Sequence, residues 1–197
     1  MVFVSSLKKK LYLTVANYFR FWANKSLKRW NPHILIVTGS AGKTTMLNLI
    51  ESQLGKQAHY SHNANSPYGI TLDILGLTGI TNSKLKWIPL FFSAPFRSLK
   101  AQHDEPFYIV EADAERPHEA EWVATWLKPE ASVWVTLGRS HAVFYEKIVA
   151  EGKFKDIDAA IAHEFSMIPS NTRNCVIIDG EDKYMCAATK NIKAKLV

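Results

Sequence analysis

Residues 33–54 read HILIVTGSAGKTTMLNLIESQL, and they divide into three parts that follow one another without a gap. Residues 33–38 are a short apolar run typical of a buried strand, residues 39–42 are two glycines and two small residues, and residues 43–54 are good helix formers. A strand, a tight loop and a helix in this order bring backbone N–H groups and the positive end of the helix to one place. The stretch therefore predicts a phosphate-binding loop.

Each residue of this loop has an expected role. Lys43 would reach the β- and γ-phosphates of a nucleotide, and the Thr44 hydroxyl would ligate Mg²⁺. The common spacing of such loops has a glycine five residues before Gly42, where this chain has Val37, so the loop is a variant. The residues expected to contact the nucleotide are Gly39, Ser40, Ala41, Gly42, Lys43, Thr44 and Thr45.

The chain beyond residue 31 alternates between strand and helix patterns. Apolar runs typical of strands lie at 107–110, 131–137 and 175–178, and helical patterns lie at 119–127 and 159–168. Such alternation predicts an α/β fold with a doubly wound, mostly parallel sheet and helices on both of its faces. Residues 76–104 have no clear periodicity and receive no assignment.

Composition and cysteine content narrow the class of protein. The 197 residues are 47% apolar and 21% charged, which is typical of a folded globular chain with one good-sized domain or two small ones. No apolar run reaches the roughly 18 residues of a membrane-spanning helix. Cys175 and Cys186 are too few for a disulfide framework and favour reduced thiols in a cytosolic protein.

The net charge of +6 is concentrated at the amino terminus. Residues 1–30 hold seven basic residues and no acidic one, so the rest of the chain is close to neutral. This balance argues against a nucleic-acid-binding role for the body of the protein.

The same segment has apolar residues at helical spacing, at Leu7, Leu11, Val15, Tyr18 and Trp22. Two interpretations of this basic amphipathic helix stay open: peripheral contact with an anionic membrane surface through residues 1–30, or packing against its own domain with solvated lysines.

Two further side chains are candidates for the same edge of the sheet as the loop. Glu111 ends an apolar strand, and His141 lies four residues after the next strand. The carboxyl ends of parallel strands meet at one edge, so both side chains can share a crevice with the phosphate loop. A carboxylate in that position can hold Mg²⁺. Acids often follow strands, and a lone histidine is commonly a plain loop residue.

Five segments in order resemble the central domain of the Mur ligases, the ATP-dependent amide-bond synthetases of peptidoglycan assembly. Residues 38–45 resemble that family's T-G-[ST]-x-G-K-T-[ST], and residues 61–70 resemble its T-x-G-N-x-N-N-x-I-G, with a leucine-rich helix expected over 71–77. The other similar segments are 111–117 to E-x-G-A-x-x-P, 128–141 to K-P-D-x-A-V-x-T-x-x-G-x-x-H, and 176–182 to V-x-L-N-x-D-D. The resemblance is closest to the ligase that adds D-alanyl-D-alanine to the UDP-muramoyl-tripeptide.

The resemblance implies a reaction and a set of residue roles. ATP phosphorylates a substrate carboxylate to an acyl phosphate, and an amine then displaces the phosphate, with MgATP held by the loop. The catalytic residues it implies are Lys43, Asn63, Glu111 and His141. The metal would be held by Thr44, Glu111 and His141. Asn63 and Asn65 would line the crevice for phosphate and substrate, and Asp179 would lie near the adenine.

The sequence also departs from the family pattern. A lysine of the family, often carbamylated and bridging the metals, corresponds to Phe165, which cannot ligate a metal. Ser66 stands for the third asparagine of the second segment, and Asp179 for an asparagine. Arg139 and Ser140 replace a proline and an alanine before the histidine. Phosphate handling is thus expected to be intact, whereas support for acyl transfer is reduced.

We expect three regions: a leader helix over 1–31, an ATP-binding central domain over 32–185, and a tail over 186–197 where a C-terminal ligase domain would begin. The expected protein is a cytoplasmic acid–amino-acid ligase, at or near the inner membrane surface, that a missing domain or a partner chain completes. A UDP-muramoyl-peptide-like molecule is its expected substrate. The alternative is a degenerate nucleotide-binding module that acts through a partner chain. A small kinase or GTPase is a third class, and no N-K-x-D motif supports a GTPase.

Overall fold

The chain divides into two units, each with its own internal contacts. The computed structural model describes residues 2–62, 64–78 and 87–197, and for residues 2–11 and 13 it describes the backbone alone. One unit, Met1–Pro32 with Pro67–Asp104, is here called the helical unit, and the other, His33–Ser66 with Glu105–Val197, is called the sheet unit.

The helices and strands alternate along the sheet unit. Its strands are β1 (His33–Thr38), β2 (Ala58–Tyr60), β3 (Phe107–Ala112), β4 (Ala131–Trp134), β5 (Cys175–Ile178) and β6 (Lys195–Leu196). Its helices, numbered in chain order, are α2 (Lys43–Leu54), α5 (Glu119–Leu127), α6 (Glu146–Ala150), α7 (Ile157–Ser170) and α8 (Lys183–Thr189). The helical unit contains α1 (Val2–Trp30), α3 (Pro67–Ile74) and α4 (Trp87–Ser98).

The six strands form one parallel sheet in the order β2-β3-β1-β4-β5-β6. On one face, Val37 packs with Leu47 of α2 and Ile109 of β3. On the other face, Trp134 of β4 stacks on Phe165 of α7, with ring centroids 6.0 Å apart. Helices therefore cover both faces, which confirms the prediction of a doubly wound parallel α/β fold.

Several element boundaries differ from the predictions. β3 extends to Ala112, so Glu111 lies within the strand rather than at its end. β4 ends at Trp134 instead of residue 137, because the residues that follow it turn toward the glycine-rich loop. α7 begins at Ile157, two residues early, since the Asp156 carboxylate caps it by accepting from Ala159 N at 2.7 Å.

The helical unit is held together largely by aromatic rings. Phe19 of α1 is fully buried and contacts Phe91 and Trp87 of α4, with ring centroids 5.0 and 6.2 Å apart. Tyr18 Oη donates to Phe91 O at 2.7 Å. In α4, the structure places a helix within the stretch that the sequence left unassigned. α3 begins at residue 67, four residues before the expected helix, and ends at residue 74.

The leader helix α1 packs within the helical unit. Its buried apolar face contains Ala16, Phe19 and Ala23, one residue along from the predicted face at Val15, Tyr18 and Trp22. The interpretation as a helix packed against its own unit therefore agrees with the described side chains. Among the residues that the structure describes, no helix has the length and apolar character needed to cross a bilayer.

Candidate functional site

Two glycines give the loop between β1 and α2 its shape. Gly39 has φ +139° and Gly42 has φ +79°, and both values lie where side chains are disfavoured. A Cβ at Gly39 would lie 2.8 Å from Thr136 N, so only glycine fits against that backbone. Gly42 is the N-cap residue that precedes α2, and because it has no side chain, the amino terminus of the helix has no side-chain cap. This end of α2 can accept an anion.

The loop is fastened to the segment that follows β4. Ser40 N donates to Thr136 O at 3.0 Å, and Ser40 Oγ donates to Gly138 O at 2.9 Å. The Thr136 hydroxyl accepts from Ala41 N and donates to Ala41 O, both at 2.9 Å. These bonds fix residues 40 and 41 in place, and they occupy N–H groups that the sequence assigned to phosphate. Thr136 was not predicted as part of the site.

Lys43 lies folded beneath the loop rather than extended into solvent. Its side chain is about nine-tenths buried, and Nζ donates to Gly39 O at 2.6 Å. Nζ also lies 3.7 Å from Asp113 Oδ2, whose carboxylate is equally buried. A buried amine needs such partners, because an unpaired charge away from water is costly. Asp113 thus supplies the carboxylate that faces the amine of Lys43.

Thr44 and Glu111 meet at the same edge of the sheet. Thr44 Oγ1 donates to Glu111 Oε2 at 2.9 Å, and Glu111 is 7% exposed. Ser61, which follows β2, orders the strand beneath them by accepting from Glu111 N at 2.8 Å. The sequence predicted the convergence of Thr44 and Glu111. Their hydroxyl and carboxylate oxygens are the hard donors that Mg²⁺ prefers.

The asparagine-containing segment runs beside β3. Asn65 O accepts from Asp113 N at 2.9 Å, so the backbone of this segment reaches the site. Asn63, predicted as catalytic, lies outside the described residues.

His141 faces a different carboxylate from the one expected. His141 Nε2 lies 4.0 Å from Glu115 Oε1, and Asp113 completes a group whose ligand atoms all lie within 4.8 Å of one another. Glu111, predicted to share a metal with His141, is instead bonded to Thr44. The sharing of one metal by Glu111 and His141 stays a prediction.

Asp113 and Glu115 were missed, although a signal for Asp113 was present. Asp113 lies two residues after Glu111 and directly follows the last residue of β3, so an extended chain at this point would put both side chains on the same face. Glu115 lies three residues beyond the strand, where no such period applies.

Three other predicted positions have local structural roles. Arg139 donates through Nε and Nη2 to Asp158, both at 2.7 Å, which ties the loop before His141 to the start of α7. This hydrogen-bonded pair holds the pKa of Asp158 below its usual range. Asp179 Oδ1 accepts from Glu181 N at 2.9 Å and so forms a turn after β5. Phe165 lies in the core at 1% exposure.

The fold and the site together define the class of domain. It is a parallel α/β domain with a glycine-rich turn, a buried lysine and a carboxylate at the carboxyl edge of its sheet. A sequence model of the Mur ligase middle domain matches residues 37–197 of this chain. The chain therefore belongs to the Mur ligase middle-domain family.

Similar solved structures include three structures of ligases. The MurF ligase of Thermotoga maritima, solved in complex with ADP, is 17% identical with a TM-score of 0.68 and aligns over 92% of this chain. MurF from Acinetobacter baumannii is 16% identical with a TM-score of 0.62 over 91%. The UDP-N-acetylmuramoylalanyl-D-glutamyl-2,6-diaminopimelate–D-alanyl-D-alanyl ligase of Acinetobacter baumannii is 16% identical with a TM-score of 0.57 over 93%.

The chain spans about a third of the length of these structures: 36%, 34% and 34% of the three chains.

Proposed function

We propose that this chain is the MgATP-binding part of a Mur-type amide ligase. The observation that carries the proposal is the pairing of Thr44 Oγ1 with Glu111 Oε2 at 2.9 Å beside the buried amine of Lys43. A hydroxyl, a carboxylate and a lysine amine at the amino end of one helix match the needs of a nucleotide triphosphate and its cation. The ADP complex of the Thermotoga maritima MurF supports ATP as the nucleotide.

In this proposal the protein positions the reactants and stabilises charge. The γ-phosphoryl group of ATP passes to a substrate carboxylate, which yields ADP and an acyl phosphate, and an attacking amine then releases phosphate as the amide forms. Lys43 Nζ would give up its contacts with Gly39 O and Asp113 and would bind the phosphates instead. Residues 39–45 with the end of α2 would neutralise the phosphate charge.

The donor set at this edge fits a magnesium ion. Thr44 and Glu111 supply hydroxyl and carboxylate oxygens on adjacent elements, and His141 with Glu115 and Asp113 supplies further donors nearby in the fold. Bound there, Mg²⁺ would neutralise phosphate charge. Of these residues, Thr44 and Glu111 would hold the ion on the phosphate side, and His141 would serve the carboxylate side.

The substrate and the remaining domains are also part of the proposal. By analogy with the ligases of similar fold, the carboxylate belongs to a UDP-muramoyl-peptide-like precursor, and the amine is delivered by a further domain or by a partner chain. The short span of this chain relative to those ligases supports that division. ATP supply and the free thiols of Cys175 and Cys186 favour the cytoplasm.

Two observations favour a second function, a nucleotide-binding module without ligase activity. Asp113 stands where the family pattern has glycine, and its carboxylate competes with phosphate for Lys43. Phe165, at the position matched to the family lysine, is part of the hydrophobic core and offers no ligand. In this alternative, the protein acts through a partner chain.

Calorimetric titration with MgATP tests nucleotide binding. We expect micromolar binding by the wild-type chain and a loss of about 100-fold or more in Lys43→Ala, because a phosphate-paired buried lysine has no substitute in the loop. Lys56→Ala is the matched control, since Lys56 is exposed beyond the end of α2 and should bind as wild type. Equal binding by all three proteins would contradict the assigned site.

A second measurement separates the ligase from the module. Release of ADP and phosphate is followed after UDP-muramoyl-tripeptide and D-alanyl-D-alanine are added, with and without the remaining domains of a MurF supplied in trans. Turnover that depends on both substrates supports the ligase. Tight MgATP binding without turnover under every condition supports the module instead.

A further inference from the structure

Helix α4 exposes an apolar stripe that is defined here as Ile88, Phe92, Phe96 and Leu99. These side chains are 53%, 71%, 68% and 67% exposed. Their spacing of four, four and three residues places them on one side of the helix and its carboxyl-terminal extension. On the other side, Ala94 and Ser98 are fully buried. The stripe is therefore an outward face of the helical unit and no part of its core.

The stripe differs from a normal solvated helix face. Exposed apolar residues that occur singly are common, whereas a contiguous row with two phenylalanines marks an interaction surface. Arg97 is the one charged residue within α4, so its twelve residues hold no acidic side chain.

Charge indicates what this face binds. The helical unit holds eleven basic and two acidic residues, whereas the sheet unit holds thirteen basic and sixteen acidic residues. Basic side chains also lie at the carboxyl-terminal end of the stripe. Arg97 and Lys100 are exposed there, and Arg29 of α1 donates to Ser98 O at 2.9 Å. Apolar side chains beside a cluster of cations match the two layers of an anionic lipid surface.

We propose that the α4 stripe docks the protein on an anionic lipid bilayer. Its four apolar side chains enter the boundary between headgroups and acyl chains, and the surrounding lysines and arginines contact lipid phosphates. A second copy of the chain fits this face poorly, because two units with a net charge of +9 would repel each other.

This surface differs from the one suggested by the leader sequence alone. In α1, the described residues of that face, Val15, Tyr18 and Trp22, are only partly exposed, and Tyr18 contacts Phe91 of α4 with ring centroids 5.2 Å apart. α1 instead contributes positive charge, and α4 contributes the apolar contact. The docking surface does not depend on the nucleotide site, so either proposal can fail without the other.

Vesicle co-sedimentation of the full chain tests the proposal. The probes are vesicles of equal parts phosphatidylglycerol and phosphatidylcholine, and vesicles of phosphatidylcholine alone. We expect binding to the anionic vesicles that weakens with added salt, and much weaker binding to the neutral ones. In the double variant Phe92→Asn with Phe96→Asn, affinity should fall more than about tenfold, because two apolar side chains no longer leave water.

Matched variants separate the stripe from general effects. Leu49→Asn changes a side chain that is 57% exposed on α2 of the sheet unit, and it should leave vesicle binding unchanged. Phe92→Leu with Phe96→Leu keeps the apolar surface and should retain binding. Lys100→Gln should weaken binding by about fivefold. Circular dichroism checks that each exposed substitution leaves the helical content intact.

Four results would overturn the proposal. They are absence of binding to anionic vesicles by the wild type, equal binding to both vesicle types, undiminished binding by the asparagine double variant, and a lipid-free dimer that the double variant dissociates. The last result, measured by sedimentation velocity, would assign the stripe to self-association.

Discussion

The sheet unit and the helical unit place their chemistry by different means. In the sheet unit, candidate site residues come from four separate segments and meet because parallel strands end at one edge, as Thr44 and Glu111 do at 2.9 Å. In the helical unit, Phe19 and its aromatic neighbours form a small core, and the apolar surface of α4 is left exposed. The first unit is acidic overall, and the second is strongly basic.

This difference explains why the motifs lie mainly in the sheet unit, with only the end of the segment over 61–70 in the helical unit. A phosphate site needs fixed residue types at fixed spacing, so its pattern survives in the sequence. A surface that contacts lipid needs apolar area and positive charge, which many sequences supply. Variants in each unit measure how strictly a position depends on size, charge and burial.

The largest expected effect comes from a charge in the core of the sheet unit. Phe165→Lys, which restores the side chain of the family pattern, buries an ammonium group at a position that is 1% exposed and stacked on Trp134. We expect a loss of about 4 kcal/mol or more in the free energy of unfolding, measured in urea. Phe165→Leu is the control and should cost about 1 kcal/mol. Equal stability of the lysine variant and the wild type would show that the position can open to solvent or to a ligand.

The next largest effect tests the loop geometry. Gly39→Ala adds a Cβ 2.8 Å from Thr136 N and 2.9 Å from Thr136 O, at φ +139°. The loop must move or strain, so we expect a loss of about 2 kcal/mol in stability together with weaker MgATP binding. Gly180→Ala is the matched control, because its added Cβ would meet nothing within 4 Å. A Gly39→Ala protein as stable as the Gly180→Ala protein would contradict the close approach.

Much of the sheet unit could be predicted from its sequence, because burial on both faces leaves unbroken apolar strands. β1, α2, α5 and β5 begin and end at the predicted residues. β2 and β6 were missed, since strands of three and two residues hold too few side chains for a period to emerge. α4 was missed because Pro89 and Pro95 interrupt its pattern, while packing against α1 maintains the helix.

The candidate site was predictable where parallel strands bring residues to one edge of the sheet, and it was unpredictable where loop conformations place the side chains. The pairing of Thr44 with Glu111 followed from topology. The approach of Glu115 to His141 depends on two loop conformations, and no local pattern encodes it. The Thr136 hydroxyl makes two hydrogen bonds to the backbone of Ala41, and this contact is seen only in the folded sheet.

A smaller effect concerns the charge balance in the proposed nucleotide site. Asp113 lies 3.7 Å from Lys43, and both side chains are about nine-tenths buried, so in the proposed function the carboxylate competes with phosphate. Asp113→Asn keeps the shape and removes the charge. We expect MgATP affinity to rise about tenfold in calorimetric titration, because the competing charge is removed. The gain is no larger because desolvation offsets most of the energy of the Lys43–Asp113 ion pair. Glu146→Gln, a charge change on α6 away from the described contacts of Lys43, should have no effect. Weaker binding by Asp113→Asn would instead indicate that Asp113 helps to hold the cation.

The smallest effect compares one buried tyrosine from each unit at alkaline pH. Burial raises the pKa of Tyr68 in the helical unit to about 12, and its hydroxyl donates to Tyr12 O. Burial, aided by Glu164, Glu119 and Asp113, also raises the pKa of Tyr145 in the sheet unit, whose hydroxyl donates to Ala114 O at 2.7 Å.

An unfolded tyrosine ionises near pH 10, so each phenol contributes stability that is fully present below about pH 10. As the pH rises further, the unfolded chain loses protons that the folded chain keeps, and the free energy of unfolding falls. For Tyr68 the fall should reach about 1 kcal/mol at pH 11 and end near its folded pKa of about 12. Urea unfolding at pH 8 and pH 11 measures it. Tyr68→Phe should reduce this loss of unfolding free energy by about 1 kcal/mol. Tyr145→Phe should remove the contribution that Tyr145 makes to the same loss. If both variants lose as much stability as the wild type between these pH values, both hydroxyls are open to solvent in the folded protein. Ionisation of these tyrosines would then destabilise neither unit.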